Sequence, residues 1–265
     1  MKVAMLRIGI DSGSGGIHGP LFLDGSFDYI PIPDGFGIDE RTYGDTTSLK
    51  QRKLVEYFSE PRRVAMANRS IHFDPEFATF TYGDPTPPKA GLRHLEEGDM
   101  LIFYCGLEGW DHRSEPALYL MGYFEVLVAG KPDGLGDQET RRLFANNFHV
   151  RHQRVFERQR AELVLIKGSE CSRLLKKAVC ISVMGRNRTG QPLKVLSPEM
   201  QQIFGTFNGK RREDQCESGD GHGMRDMAGE CKSLFLHAFR WWQDDNALHN
   251  VVQGPNKILG PGSRS

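Results

Sequence analysis

Residues 95–130 read LEEGDMLIFYCGLEGWDHRSEPALYLMGYFEVLVAG. A Gly-Asp turn at Gly98-Asp99 leads into an apolar run from Met100 to Leu107, and a second run follows from Ala117 to Ala129. Strands with one wet face alternate apolar and polar residues, whereas strands covered on both faces are apolar throughout. These two runs are therefore expected to form the centre of a sheet, joined by the polar turn 108–116.

The flanking chain mixes strand and helix signals. Residues 3–10 read as a first strand that empties into the glycine-rich stretch GIDSGSGG, residues 9–16. LFLDGSFDYIPI (21–32) predicts a hairpin around Asp24-Gly25. SLKQRKLVEYF (48–58) predicts a short helix. Residues 59–91 hold five prolines and little periodicity, and read as one long ordered loop. Helices are expected over DQETRRLFANN, with Asp137 as the cap, over 154–163, and over SPEMQQIFG between Ser197 and Gly205. LVLIKG predicts a strand, and SRLLKKAVCISV a helix turning into a strand. The fold class is α+β: a mixed, mostly antiparallel central sheet, or a barrel, with flanking helices and long loops. Residues 1–207 form the main domain and 208–230 a polar linker. Residues 231–265 form an amphipathic helix and tail, with Phe239 and Trp242 on the buried stripe.

Composition excludes several classes. Lys plus Arg and Asp plus Glu both number 34, so no global field draws the chain to nucleic acid or membrane, and a nucleic-acid surface must be local. No apolar stretch approaches membrane-spanning length. The five cysteines include no C-x-x-C pair, which argues against a disulfide or zinc-ribbon framework and suits a reducing cytoplasm. Cys105 and Cys180 are expected to pack as small hydrophobes.

Two stretches carry paired ligand-capable side chains. In IHFDPEF, His72 and Asp74 lie two apart and share one side of an extended segment. In NFHVRH, His149 and His152 lie three apart and share one side of a helical turn. Two imidazoles and one carboxylate form the ligand set of non-haem iron oxygenases. His72, Asp74, His149 and His152 are thus the candidate metal ligands, and iron(II) the candidate metal, because no thiolate is offered. Asp11, at the end of a strand, and Glu108 join His149 as candidate catalytic groups. Ser12 and Gly13 of the glycine loop, Trp110 as a stacking surface, and Arg151, Lys167 and Arg173 as phosphate partners are the candidate ligand-binding residues. The glycine loop superficially resembles the phosphate loop of actin-like sugar kinases, but no second Asp-Gly loop follows, and the P-loop lysine is missing.

Two resemblances add context. LEEGDMLIFYCG with LYLMGYFEV resembles the paired core strands of PUA-like domains of the EVE and ASCH types, which bind modified bases or RNA. LRIGIDSGSGGIHGPLF, DERTYGDT, HFDPEFATFTYGDP, GDMLIFYCGLEGW, NFHVRH and LKVLSPEM together resemble the third family of nucleotide-modification-associated domains over residues 1–207. That resemblance implies a role beside enzymes that modify DNA bases, and supplies no catalytic residue list. Two functions follow as expectations. One is an enzyme acting on a nucleotide or related small molecule, with iron(II) chemistry as a candidate. The other is a non-catalytic reader of modified bases in nucleic acid.

Overall fold

The two apolar runs form the longest strands of a computed structural model that describes residues 1–11 and 16–204, with the backbone of 225–226. The described strands begin with β1 (Lys2–Arg7), β2 (Gly19–Leu21), β3 (Ile32–Pro33), β4 (Ile71–His72) and β5 (Thr81–Asp84). The central pair is β6 (Met100–Gly109) and β7 (Ala117–Gly130), followed by β8 (Val164–Gly168), β9 (Arg173–Cys180), β10 (Ser182–Arg186), β11 (Pro192–Leu196) and β12 (Arg225–Asp226). Short helices are α1 (Arg62–Ala67), α2 (Pro132–Leu135), α3 (Asp137–Leu143), α4 (Phe148–Arg151), α5 (Gln153–Gln159) and α6 (Pro198–Phe204).

The main sheet has 8 strands in the path β12-β1-β6-β7-β8-β5, with β2 also on β6 and β9 also on β7. β1 and β2 run parallel to β6, and the other pairings in this sheet are antiparallel. The fold is α+β with a mixed, mostly antiparallel sheet, and the described strands do not close into a barrel. Each long strand serves two partners along one edge: β6 holds β1 and then β2, and β7 holds β9 and then β8. Alternation along β6 sends Leu101, Phe103, Cys105 and Leu107 into one core and Met100, Ile102 and Tyr104 into the other. That is why its sequence is apolar without a break. Phe103 and Phe124 pack edge to face at 4.7 Å, with Phe77 5.5 Å from each. α6 closes the second face through Met200, and Ser197 caps it by accepting the Met200 N–H at 3.3 Å.

Several expectations are corrected. The stretch 172–183, read as a helix turning into a strand, contains no helix and forms strand from Arg173 as β9: the open edge of β7 offers unpaired backbone groups, and pairing there outweighs local helical period. The hairpin around Asp24-Gly25 is present but short: the Phe22 N–H donates to the Ser26 carbonyl at 2.8 Å and Leu21 bridges Phe27, while the other edge of β2 pairs with β6. The helix expected over 48–58 is a single 3₁₀ turn, Leu54–Tyr57. Residues 59–91 are not one loop: α1, β4, β5 and a 3₁₀ stretch from Pro87 punctuate them. Asp137 starts α3 without capping it and pairs with Arg160 at 2.5 Å. Cys105 is buried, but Cys180 is exposed. The stripe with Phe239 and Trp242, like most of 208–265, lies outside the described residues. No helix of the described residues is long and apolar enough to cross a membrane.

Candidate metal centre

Two small structural devices bring the histidine segments together. The β3–β4 ladder pairs His72 with Ile32. The chain then folds back, with the Asp74 N–H donating to the His72 carbonyl at 3.0 Å. The segment is therefore a tight turn rather than extended, yet both side chains enter one pocket. The second device is Asn147, fully buried at the start of α4. Its Oδ1 accepts the His149 N–H at 3.0 Å, and its Nδ2 donates to Asp74 Oδ1 at 3.3 Å. One cap thus starts the helix that carries His149 and positions Asp74.

Three ligand-capable atoms converge there. His72 Nε2 and His149 Nε2 lie 3.2 Å apart, and His149 Nε2 lies 3.4 Å from Asp74 Oδ2. The His149 and Asp74 side chains are each 3% exposed. Asp74 Oδ2 also accepts the Gly83 N–H at 2.9 Å. β5 comes this close because Gly83 has no side chain: a Cβ there would stand 2.9 Å from His149 Cδ2 and 3.0 Å from Asn147 Oδ1. His72 lies against Phe148, with ring centroids 4.0 Å apart.

The protonation states follow from burial. His72 is pushed down to about 3, by burial first and then by neighbouring His149, so its ring is neutral at physiological pH. Burial raises the Asp74 carboxyl to about 6 against the pull of His149. Burial opposes a charge on His149, but its contact with Asp74 wins and raises it. The Gln159 side-chain carbonyl lies 2.7 Å from His149 Nδ1. An acceptor at that position keeps the proton on Nδ1 and leaves the Nε2 lone pair facing His72 and Asp74. A neutral His149 then turns a lone pair toward a carboxylate, which is unfavourable. A second proton on His149, a hydrogen bond donated by His72 Nε2 to that lone pair, or a metal ion would each relieve this.

A second ligand-capable group adjoins the first. Asp39, Glu40 and His152 also offer atoms within 4.8 Å of one another. Its charges are already matched. Arg41 forks onto Asp39 at 2.9 and 2.7 Å, His152 Nε2 is 3.3 Å from Asp39, and Arg151 pairs with Glu40. Burial would raise the Asp39 carboxyl, but the hydrogen bonds from Arg41 hold it at about 2. His152 therefore sits with Asp39, and Arg151 binds carboxylates, not an open anion site. Asp34 accepts the backbone N–H groups of Phe36, Ile38 and Asp39 and shapes this turn.

The other candidate residues lie apart from this triad. Asp11 pairs with Arg7 at 3.1 Å. Glu108 lies 3.3 Å from His18 Nδ1, and Lys194 Nζ approaches His18 Nε2 at 3.5 Å. His18, Lys194 and Glu108 near the end of β6 thus form a polar cluster, with Asp11 close enough for its charge to act on Lys194. Ser12 and Gly13 lie outside the described residues. Trp110 is 41% exposed and meets Tyr57 edge to face at 4.9 Å. Lys167 donates to the Thr79 carbonyl, and Arg173 is exposed at the start of β9.

Sequence reading missed Asn147, Gln159, Gly83, Asp39 and His18. Asn147 carries a cap signal just before the short helix, but Gln159 carries none, since a polar residue at a helix end is ordinary. No curated protein and no solved structure matches the chain. A family model described as nucleotide modification associated domain 3 matches residues 2–224. That span takes in every strand of the sheet but β12 and both segments that carry the triad, and the chain belongs to the nucleotide modification associated domain 3 family.

Proposed function

We propose that the chain is a metal-dependent enzyme acting in nucleotide or DNA-base modification, with His72, Asp74 and His149 as its metal ligands. The observation that carries this reading is the convergence of three ligand atoms from two distant segments, with Gln159 holding the proton on the far nitrogen of His149. The triad contains no arginine or lysine, unlike the neighbouring Asp39 group. Two imidazoles and a carboxylate match the ligand set of non-haem iron(II) sites, a set that catalytic zinc also takes. Bound there, such an ion would act as a Lewis acid or redox centre beside a nucleotide. Asp74 and His149 would hold it, Gln159 and Asn147 would orient them, and Phe148 would shield His72 from water.

Metal analysis of anaerobically purified protein tests this. The wild type is expected to carry close to one equivalent of metal, and His149→Ala and Asp74→Asn only background. Background metal in a wild type that also fails to take up iron(II) would sink the proposal.

A non-catalytic reader is the second reading, supported by the half-exposed Trp110. Base stacking on an aromatic ring contributes about 1–3 kcal/mol. A Trp110→Ala variant that keeps its fold but loses modified-nucleoside binding, in a protein without metal, would favour it.

A further inference from the structure

Residues 171–198 contain no Asp or Glu but six cations: Arg173, Lys176, Lys177, Arg186, Arg188 and Lys194. In a chain with 34 charges of each sign, such a stretch is a strongly local basic field. Its distal half is the antiparallel ribbon β10–β11, paired from Ser182–Leu196 to Arg186–Pro192.

Beyond its root the ribbon touches the body at Lys194, which approaches His18 Nε2 at 3.5 Å, and its β10 strand is open. Val183 is 45% and Met184 61% exposed. Successive strand residues point to opposite faces, so β10 exposes a side chain on each face of the ribbon at that level. Its root is fixed, because Ile181 and Leu196 are buried in the core beneath α6. Its tip is ordered too. Asn187 Oδ1 accepts the N–H groups of Thr189 and Gln191, each at 2.9 Å, and Gly190 takes the positive φ (+78°) of the turn. Arg186 donates to the Gly190 carbonyl at 2.7 Å. Within the described residues, neither Arg186 nor Arg188 has a carboxylate partner.

We propose that the β10–β11 ribbon is a duplex-DNA-binding arm whose Arg186 and Arg188 meet phosphates. A ribbon of two five-residue strands is about 17 Å long, and a B-DNA major groove about 12 Å wide admits a two-stranded ribbon. Residues 171–198 contain no Phe, Tyr or Trp. The segment therefore lacks the stacking surface that single-stranded nucleic acid uses and the aromatic anchors of a membrane-interface element. Charge without aromatics fits a phosphate backbone held in duplex form. This partner is independent of the metal reading and would make the substrate a base within DNA.

The test is fluorescence anisotropy of the full chain with a short labelled duplex, the same single strand, and phosphatidylserine vesicles. The wild type should bind the duplex best, with affinity that falls as salt rises. The double variant Arg186→Gln/Arg188→Gln should lose at least tenfold, and its log–log salt slope should shrink by about 2, near 0.9 per lost phosphate contact. Because Arg186 also braces the tip, Arg188→Glu alone is the second variant, and it should weaken binding without moving the melting temperature. Wild type stripped of metal by a chelator should bind duplex like the untreated protein, which separates failure of this arm from failure of the metal centre. Unchanged affinity and salt slope in both arginine variants would overturn the proposal, as would tighter binding to the single strand or the vesicles.

Discussion

The Nε2 atoms of His72 and His149 face each other at 3.2 Å, although 77 positions separate the residues in the chain. His72 stands on a two-residue ladder and His149 on a one-turn helix, neither of which is stable alone. Their meeting depends on Asn147 capping one segment while it binds Asp74 of the other.

Gln159 should govern metal affinity without being a ligand. Its carbonyl accepts from His149 Nδ1, and loss of such an outer partner typically costs 10–100-fold in metal binding. Gln159→Leu is expected to weaken iron(II) or zinc binding by about that factor in a chelator competition, with the fold intact. Affinity equal to wild type would remove Gln159 from the centre.

Gly83 should be irreplaceable for a steric reason. A methyl group at that position meets His149 Cδ2 at 2.9 Å and Leu165 Cδ2 at 3.1 Å. Gly83→Ala is expected to cost about 1–3 kcal/mol by overpacking and to displace the His149 ring. Urea unfolding with a metal titration reads both effects. A variant as stable and as metal-competent as wild type would show that β5 can move.

His72 predicts an acid sensitivity with a definite sign. Its folded pKa is depressed to about 3, against about 6.5 unfolded. Its contribution is therefore complete above pH 6.5 and is lost as pH falls from there toward 3, by up to about 1.4 kcal/mol per pH unit. His149, whose pKa is raised, acts in the opposite sense: its contribution is complete below 6.5 and is lost as pH rises through the folded value. Metal-free wild type should lose stability between pH 6.5 and 5 relative to His72→Gln. Parallel urea midpoints for the two proteins across that range would contradict the burial argument.

Phe103 should report on the sheet core. It is fully buried among Phe77, Tyr82 and Phe124. Phe103→Ala is expected to destabilise by about 3–5 kcal/mol, measured by urea unfolding. A loss under about 1 kcal/mol would mean that the aromatic cluster collapses into the space.

Local sequence was sufficient for the centre of the fold. The unbroken apolar runs in β6 and β7 mark strands covered on both faces, and Ser197-Pro198 marks the start of α6, because burial and capping leave their pattern within a few residues. It was also sufficient to single out His72, Asp74 and His149 as ligand-capable types. Tertiary structure alone decided the rest. Residues 173–180 became a strand because the edge of β7 lacked a partner, a demand that arises far away in the chain. His152 was drawn to Asp39 because Arg41 and Arg151 gather acidic neighbours there. Gln159 reached His149 because α4 and α5 fold against each other, and a glutamine at the end of a helix has no local signature of what lies ten residues back. Short-range patterns record burial and caps, whereas the meeting of distant polar groups depends on loop closure and packing, which no window of sequence contains.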